Sequence, residues 1–309
     1  MGPRVSVVIP AYNAASTIGQ TLDSVFSQTF RDFEVVVVDD GSTDQTRDVV
    51  AGYGDRIRVL SKVNEAKPAA TRNLGVHAAR GDLVAFLDAD DWWREDKLER
   101  QVAVFDGRPD VGLVYTADAT VDSAGKVLSV NPCPAEARGR IYELLTVRNA
   151  MVGSSVMARR EAIARAGGFD ESLTSIENWA LWIRISRDWA IEYIDEPLTL
   201  YRVHEGNRSS NVELRRQNVF RVLAKYHDPR DLSPSARRRR ADAYFHVYFN
   251  VLGKAYFSQH EMGAARRVLL RALWLRPDPH VLRLFCLSLL GKRGYVAVRA
   301  LKRRLSGAA

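Results

Sequence analysis

Residues 5–46 read VSVVIPAYNAASTIGQTLDSVFSQTFRDFEVVVVDDGSTDQT, and the order of the apolar runs in this stretch indicates the fold class. The runs at 5–9 and 33–39 are short and rich in β-branched residues, which is typical of strands covered on both faces by helices. Residues 14–28 between them have a helix-compatible pattern. A strand, a helix and a second strand in this order predict a right-handed crossover between parallel strands.

The same alternation continues along the first half of the chain. Further strands are expected at 57–61 and 82–88, and further helices at 43–52 and 67–79, with Ser42 or Thr43 as the N-cap of the first of these. The sequence therefore predicts an α/β fold with a Rossmann-like, mainly parallel sheet flanked by helices. Residues 111–200 should form a second lobe, with strands near 111–121 and 153–158 and a helix at 177–188.

From about residue 211 the pattern is helical, which predicts an all-α C-terminal extension over 211–309. Residues 253–279 have the spacing of a tetratricopeptide-like helix pair, and one such unit must pack on neighbouring helices to bury its apolar face. Further helices are expected at 281–290 and 294–304. The domain boundary is placed between 210 and 211.

Charge is distributed unevenly along the 309 residues. Residues 1–200 contain 22 Lys and Arg against 30 Asp and Glu, whereas residues 201–309 contain 23 against 7, a net charge of +16. A basic region of this kind suits nucleic acid, anionic lipid or an acidic substrate. Because no nucleic-acid motif accompanies it, an anionic membrane surface is preferred over nucleic acid as a partner. An alternative of equal weight is that the basic residues form the exposed side of a helical cap and bind no partner.

Other bulk features indicate a cytoplasmic protein. No stretch approaches the roughly 20 apolar residues of a membrane span, and the chain enters its first strand at once, so no signal peptide is expected. Cys133 and Cys286 match no metal-binding spacing and are interpreted as reduced thiols.

Polar residues directly follow three of the four predicted strands, at 10–13, 39–42 and 88–91. In parallel sheets, ligands bind outside the carboxyl ends of the strands, so these residues should converge on one edge. Within FLDADDWW (86–93), the like charges of Asp88, Asp90 and Asp91 repel, and a bound divalent cation would offset that repulsion. The alternative is that Asp90 and Asp91 cap a helix that begins near Arg94.

The series 5–46, ATRNLGVHAARGDLVAFLDADDWW, GGFDESL, ENWALWIRIS and LYRVHEGNRSS resembles the catalytic domain of glycosyltransferase family 2 enzymes, which have the GT-A fold. The resemblance covers roughly residues 4–210. It implies a nucleotide-binding half at about 1–110, an acceptor half at about 111–210, and Mn²⁺ or Mg²⁺ as cofactor. It also implies a UDP- or dTDP-linked sugar donor and an inverting reaction.

The resemblance assigns roles to individual positions. Pro10, Ala11 and Tyr12, followed by Asn13, would hold the nucleotide base, and Asp40 would accept from a base N–H. Arg72 would lie near the base or diphosphate, Asp88 with Ala89 would face the ribose, and Asp90 would bind the metal, which His204 can approach. The alternatives are structural: a half-buried Tyr12, a plain turn at 39–41, an exposed helix arginine at 72 and a structural histidine at 204.

The chain departs from the family at the catalytic base. The usual pair is Glu-Asp followed by an aromatic residue, but here Glu177 precedes Asn178 and Trp179. Because Asn cannot accept a proton at neutral pH, three hypotheses follow: Glu177 is the base, another carboxylate such as Asp170 or Glu171 reaches the site, or the chain binds nucleotide sugars without transferring them. Trp179 is a tentative acceptor-binding residue, although tryptophans spaced like Trp179 and Trp182 are more often part of a core.

The expected function is metal-dependent transfer of a sugar to a glycan or lipid-linked acceptor in polysaccharide or cell-envelope synthesis. A polyprenyl-phosphate sugar synthase is the rival within the enzyme class, and a silent nucleotide-sugar-binding protein is the rival outside it. A nucleotidyltransferase would normally have a Gly-rich basic loop after the first strand, and PAYNAAS is not one.

Overall fold

A computed structural model describes residues 2–204, 211–227, 230 and 233–291. Within it, nine strands form one sheet in the order β3-β2-β1-β4-β8-β6-β9-β5, with β7 paired to β6. The strands are β1 (Val5–Ala11), β2 (Phe33–Asp39), β3 (Arg58–Ser61), β4 (Leu83–Phe86), β5 (Trp92–Trp93), β6 (Val111–Val121), β7 (Val127–Asn131), β8 (Met157–Arg159) and β9 (Ala190–Arg202).

The first four strands run parallel, as the sequence predicts. β1 pairs with β2 on one side and β4 on the other, and β2 pairs with β3. β1 and β2 are almost wholly buried because helices cover both faces of this half of the sheet. β8 is antiparallel to both of its neighbours, whereas β6 and β9 are parallel to each other.

Residues 2–204 contain seven α-helices, and several of them are shorter than the sequence predicts. They are α1 (Ile18–Phe26), α2 (Thr46–Ala51), α3 (Pro68–Ala78), α4 (Lys97–Gly107), α5 (Tyr142–Val147), α6 (Arg160–Arg165) and α7 (Glu177–Asp188). Ser42 and Thr43 do not cap α2, because they bond to the loop that follows β1: Ser42 Oγ accepts from the N–H of Asn13, and Thr43 N–H donates to Asn13 Oδ1.

Two further expectations are corrected. Asp90 and Asp91 do not cap a helix, because α4 begins only at Lys97 and β5 lies between. The strand expected at 153–158 is a 3₁₀ turn at Gly153–Ser155 followed by the short strand β8. The side chain of Ser154 in this turn bonds to the loop that follows β4, so the turn itself does not extend the strand.

The chain divides into two compact units. The first covers Met1–Leu145 and Asn149–Ser210, and the second covers Thr146–Arg148 and Asn211–Ala309. The second unit is helical where described, with α8 (Val212–Tyr226), α9 (Pro234–His246), a π-helical turn (Val247–Gly253), α10 (Lys254–Ser258), α11 (Met262–Leu275) and α12 (Pro279–Leu289). The helix expected at 294–304 lies outside the described residues. No helix in the described part of the chain is both long and apolar enough to cross a bilayer.

Close packing of α3 on the sheet depends on Gly75. A Cβ built on Gly75 would lie 2.4 Å from Val8 Cγ1 of β1 and 3.2 Å from Val38 Cγ2 of β2. Both valines are fully buried, so neither can move aside without disturbing the core.

We therefore predict that Gly75→Ala destabilises the protein, by about 1–3 kcal/mol, as is typical of overpacking in a filled core. Gly107→Ala is the matched control, because Gly107 is also helical and a Cβ there meets no atom within 4 Å. Urea titration followed by circular dichroism measures both variants. Equal midpoints for the two variants would contradict the packing argument.

Candidate active site

The carboxyl ends of β1, β2 and β3 border a cleft of about 730 Å³. Tyr12 is half exposed at its rim. Gly41 has φ +72°, and a Cβ there would lie 2.9 Å from the backbone N of Asn64, so glycine lets the loops after β2 and β3 approach each other. The cleft is lined by Tyr12, Gly41, Thr43, Arg47, Ser61, Lys62, Val63 and Asn64.

The two carboxylates at the carboxyl end of β2, one in the strand and one after it, have different partners. Asp39 accepts from the N–H of Ser42 at 3.1 Å and from Arg47 Nε at 2.6 Å, so it builds the turn. Asp40 is buried beside the cleft, where its Oδ1 accepts from Lys62 Nζ at 2.8 Å. Lys62 was not among the residues predicted from the sequence. Its position directly after β3, like that of the polar residues after neighbouring strands, is the signal that could have identified it.

Asn13 joins two loops and is not one of the residues that line the cleft. It has φ +49°, and its Oδ1 accepts from the N–H of Thr43 at 2.8 Å, which ties the loop after β1 to the loop after β2. Pro10 and Ala11 are the last residues of β1, and Ala11 is buried. Of the four residues at 10–13, Tyr12 therefore presents its side chain to the cleft.

The acidic loop after β4 (residues 88–91) buries one of its three carboxylates and leaves the other two partly exposed. Asp91 is fully buried, with Oδ2 accepting from Ser154 Oγ at 2.5 Å and Oδ1 accepting from the N–H of Arg202 at 2.9 Å. Burial, followed by the charges of Asp90 and Asp88, raises the pKa of Asp91 well above its usual value. Asp91 therefore anchors the loop, while Asp88 and Asp90 remain partly exposed.

Asp90 and His204 come together as the family resemblance implies, with 3.0 Å between Asp90 Oδ2 and His204 Nε2. Burial and then the charge of Asp88 raise the pKa of Asp90, and the hydrogen bond from His204 partly opposes this rise. Among the described residues, no group of three or more His, Cys, Asp or Glu could hold a metal ion. One carboxylate and one imidazole nonetheless fit Mn²⁺ or Mg²⁺, because such ions take their remaining oxygen ligands from phosphates and water.

Arg202 organises the same loop and was not selected from the sequence. Its Nε donates to the backbone carbonyl of Asp90, its Nη1 donates to that of Ser123, each at 2.9 Å, and its Nη2 donates to Gln20. The guanidinium also lies 4.5 Å from the ring centre of Trp92. It precedes His204 by two residues within LYRVH, so only its place in that motif could have indicated it.

Arg72, which is itself buried, forms ion pairs with two candidate site residues, buried Glu177 and partly exposed Asp88. Its Nη1 donates to Glu177 Oε1 at 2.6 Å, and its Nη2 donates to Asp88 Oδ1 at 2.5 Å. Arg72 is 7% exposed and Glu177 is 4% exposed, so the alternative of an exposed helix arginine is wrong. Burial acts to lower the pKa of Arg72, but the carboxylates of Asp88 and Glu177 outweigh it and raise that pKa.

The residues around Glu177 are held tightly. Ile176 adopts φ +57°, which is a strained conformation for a β-branched residue and fixes the start of α7. The side chain of Asn178 packs against Gly153, where a Cβ would lie 2.6 Å from Asn178 Nδ2 and 4.0 Å from Asp88 Oδ2. The amide of Asn178 and the carboxylate of Asp88 therefore both border Gly153.

The other two carboxylates considered as bases have partners other than Arg72. Asp170 Oδ1 accepts from Ser172 Oγ at 2.7 Å, and Glu171 Oε1 accepts from Asn73 Nδ2 at 2.8 Å. The first bond lies within the turn that precedes α7, and the second joins that turn to α3. The structure thus brings Glu177, rather than Asp170 or Glu171, into contact with Arg72.

Both tryptophans of α7 are buried. Trp179 is 4% exposed and its indole N–H donates to the carbonyl of Leu145 at 2.7 Å, and Trp182 is fully buried. Both tryptophans are therefore part of the core, which was the structural alternative. Trp179 is not proposed as an acceptor-binding residue.

Comparisons with known proteins agree with the sequence motifs. A family model described as Glycosyl transferase family 2 matches residues 6–165. An uncharacterized glycosyltransferase of Nostoc sp. is 30% identical over 277 residues, covering 78% of this chain and 83% of that protein. The putative teichuronic acid biosynthesis glycosyltransferase TuaG of Bacillus subtilis is 44% identical over 218 residues, covering 68% of this chain and 82% of that protein.

Solved structures of similar fold also cover most of the chain. S. aureus TarS 1–349 in complex with UDP has a TM-score of 0.61 at 21% identity, covering 95% of this chain and 88% of that chain. The mannosyltransferase PcManGT from Pyrobaculum calidifontis, in complex with GDP-Man and Mn²⁺, has a TM-score of 0.57 at 22% identity, covering 93% and 79%. These likenesses bear on the fold and confirm the predicted GT-A class. By its family match and its relatives, the chain belongs to glycosyl transferase family 2 and is a glycosyltransferase.

Proposed function

We propose that this chain is a metal-dependent, inverting glycosyltransferase that uses a UDP- or dTDP-linked sugar. Its acceptor would be a glycan or lipid-linked molecule in polysaccharide or cell-envelope synthesis. The observation that carries the proposal is the contact between Asp90, in the loop after β4, and His204, which follows β9. The same loop carries Asp88, which pairs with Arg72 of α3.

The comparisons support the biological setting. Relatives include the teichuronic acid enzyme named above and the amylovoran biosynthesis glycosyltransferase AmsB of Erwinia amylovora, which is 31% identical over 208 residues, 64% of this chain and 69% of that protein. Structural neighbours were solved with UDP, UDP-GlcNAc or GDP-Man, the last with Mn²⁺. These names favour an acceptor in polysaccharide or cell-envelope synthesis.

In this proposal the cleft holds the nucleoside. The ring of Tyr12 stacks on the base, and Asp40 accepts the ring N–H that uracil and thymine share, with Lys62 orienting the carboxylate. Asp88, at the end of β4, accepts from a ribose hydroxyl. The diphosphate then lies toward Asp90 and His204.

Asp90 and His204 would hold Mn²⁺ or Mg²⁺, with donor phosphate oxygens as further ligands. When bound, the ion offsets the charge that develops on the departing diphosphate. Asp91, Ser154 and Arg202 keep the loop in place without touching the donor.

Glu177 is the proposed general base. It would take the proton of the acceptor hydroxyl as that oxygen bonds to the anomeric carbon, while the bond from that carbon to the phosphate oxygen breaks and the nucleoside diphosphate leaves. Because Arg72 binds Glu177 here, we propose that Arg72 turns to the donor diphosphate and releases the carboxylate. Displacement from the opposite side inverts the anomeric centre.

Two rival functions differ from the proposed one in their acceptor or in the absence of turnover. A polyprenyl-phosphate sugar synthase would use a lipid phosphate as acceptor, and a silent nucleotide-sugar-binding protein would bind donors without turnover. We place the protein in the cytoplasm, where a lipid-linked acceptor would bring it to the inner face of the membrane.

The specificity for the nucleotide base gives the first prediction that tests the proposed function. UDP- or dTDP-sugars with Mn²⁺ should raise the melting temperature more than GDP-sugars, with stabilisation of about 2.7 kcal/mol at a hundredfold excess over Kd. Asp40→Ala should remove most of this selectivity, because the acceptor for the base N–H is lost. A thermal-shift panel measures the shift for each variant against its own ligand-free form. Equal shifts for UDP- and GDP-sugars in the native protein would contradict the role of Asp40.

The metal site gives a second prediction. Chelation by EDTA, or Asp90→Asn, should reduce release of nucleoside diphosphate by about 10²-fold or more, because several kcal/mol of charge stabilisation are lost. Asp106→Asn is the control, since that carboxylate is exposed and pairs with Arg4 on the protein surface. Full activity of Asp90→Asn in EDTA would refute metal dependence.

The identity of the base gives a third prediction. Glu177→Gln should lower kcat for transfer by about 10²–10⁴-fold, the usual contribution of a general base, with little change in donor affinity. Asn178→Asp, which restores the residue usual in the family, is the matched variant and should leave kcat within a few fold. Donor affinity is measured by calorimetry and transfer by product formation.

The opposite pattern would count against Glu177. A large gain in turnover from Asn178→Asp, together with no effect of Glu177→Gln, would mean that the chain binds donors but lacks a working base. Transfer only to a lipid phosphate would favour the polyprenyl-phosphate rival.

A further inference from the structure

α11 in the second unit has two faces of opposite character. One face is buried in the unit and is made of Met262, Ala265, Val268, Leu269 and Ala272. The opposite face, here named the outer face of α11, is exposed and carries Arg266, Arg267, Leu270, Arg271 and Trp274. Since residues three and four apart lie side by side on a helix, these five side chains form one continuous stripe.

Two large apolar side chains of the outer face lie in solvent. Trp274 is 86% exposed and Leu270 is 57% exposed, and they are one helical turn apart. A tryptophan usually buries most of its large surface, so this degree of exposure is unusual in a folded unit. Exposed apolar groups that adjoin one another on one face indicate a binding surface more strongly than scattered ones.

The charge of the outer face has a single sign. α11 reads MGAARRVLLRALWL and contains three arginines and no acidic residue. Arg266 Nε bonds to the carbonyl of Met262 in its own helix, and the Arg271 guanidinium lies 5.7 Å from the ring centre of Tyr248. The acidic residue beyond the C-terminus of α11, Asp278, accepts from two N–H groups at the start of α12.

We propose that the outer face of α11 binds an anionic phospholipid surface, with the helix axis parallel to the membrane plane. Trp274 and Leu270 would enter the boundary between headgroups and acyl chains, and the arginines would contact lipid phosphates. Tryptophan and arginine suit this position because each combines an apolar body with a polar tip. The net charge of +16 over residues 201–309 adds long-range attraction.

This inference adds a membrane partner, and the surface that binds it, to the proposed function. Only the biological purpose of membrane binding rests on the proposed function. A lipid-linked acceptor would be reached most readily by an enzyme held at the membrane. Binding itself requires neither donor nor turnover, so the two proposals can fail separately. An exposed leucine beside the tryptophan favours insertion into lipid over stacking on nucleic-acid bases.

The experiment is flotation of the full-length chain, without donor or metal, with vesicles of phosphatidylglycerol and phosphatidylcholine or of phosphatidylcholine alone. The native protein should float with the anionic vesicles and remain in solution with the neutral ones. Leu270→Ser/Trp274→Ser should weaken partition by about tenfold or more, since two inserted apolar side chains are lost. Leu128→Ser is the matched control, because Leu128 of β7 is 58% exposed and lies outside α11.

Two further measurements test the two halves of the proposal. Arg267→Glu/Arg271→Glu should weaken partition by at least about 25-fold, with the difference reduced in high salt. Brominated lipids should quench the fluorescence of the native protein, and Trp274→Phe should remove that quenching. Circular dichroism checks that each variant is folded.

Three outcomes would overturn the proposal. They are equal flotation with neutral and anionic vesicles, flotation of Leu270→Ser/Trp274→Ser at the native level, and quenching that persists in Trp274→Phe. Salt-sensitive binding of an RNA oligonucleotide that is lost in the arginine variant, with no vesicle binding, would assign the face to nucleic acid instead.

Discussion

The acidic loop after β4 depends on the burial of one carboxylate. Three aspartates within four residues repel one another, and the loop is stable only where hydrogen bonds and neighbouring dipoles offset that repulsion. Asp91 meets this condition with bonds from Ser154 Oγ and the N–H of Arg202. Because Asp91 is fixed inward, Asp88 and Asp90 are directed toward the site. The β4 loop, the 3₁₀ turn and the end of β9 are thereby joined.

A second constraint is the charge balance at Arg72. A buried guanidinium is tolerated when carboxylates pair with it, and here Asp88 and Glu177 share it. The candidate ribose ligand and the candidate base are therefore coupled through one cation, and a donor diphosphate would compete for the same group. Asn178 packs its neutral amide against Gly153, which Asp88 also borders.

Prediction from sequence succeeded where local pattern and chemistry coincide. The alternation at 5–39 predicted the parallel strands. The structure places Asp90 and His204, which the family motifs selected, 3.0 Å apart, and their binding roles stay predictions. Prediction from sequence failed where distant contacts override local preference. Ser42 bonds to the N–H of Asn13 instead of capping α2, and the segment expected as a strand at 153–158 opens with a 3₁₀ turn.

The sequence alone determined the α/β class, the edge at which polar residues gather and the basic character of the C-terminal third, because periodicity, strand-end position and charge are properties of local sequence. Only the tertiary structure decided that Lys62 pairs with Asp40, that Arg72 binds Glu177 and that Trp179 is buried. These contacts join residues from separate elements, and their distances follow from packing. No spacing along the chain encodes them.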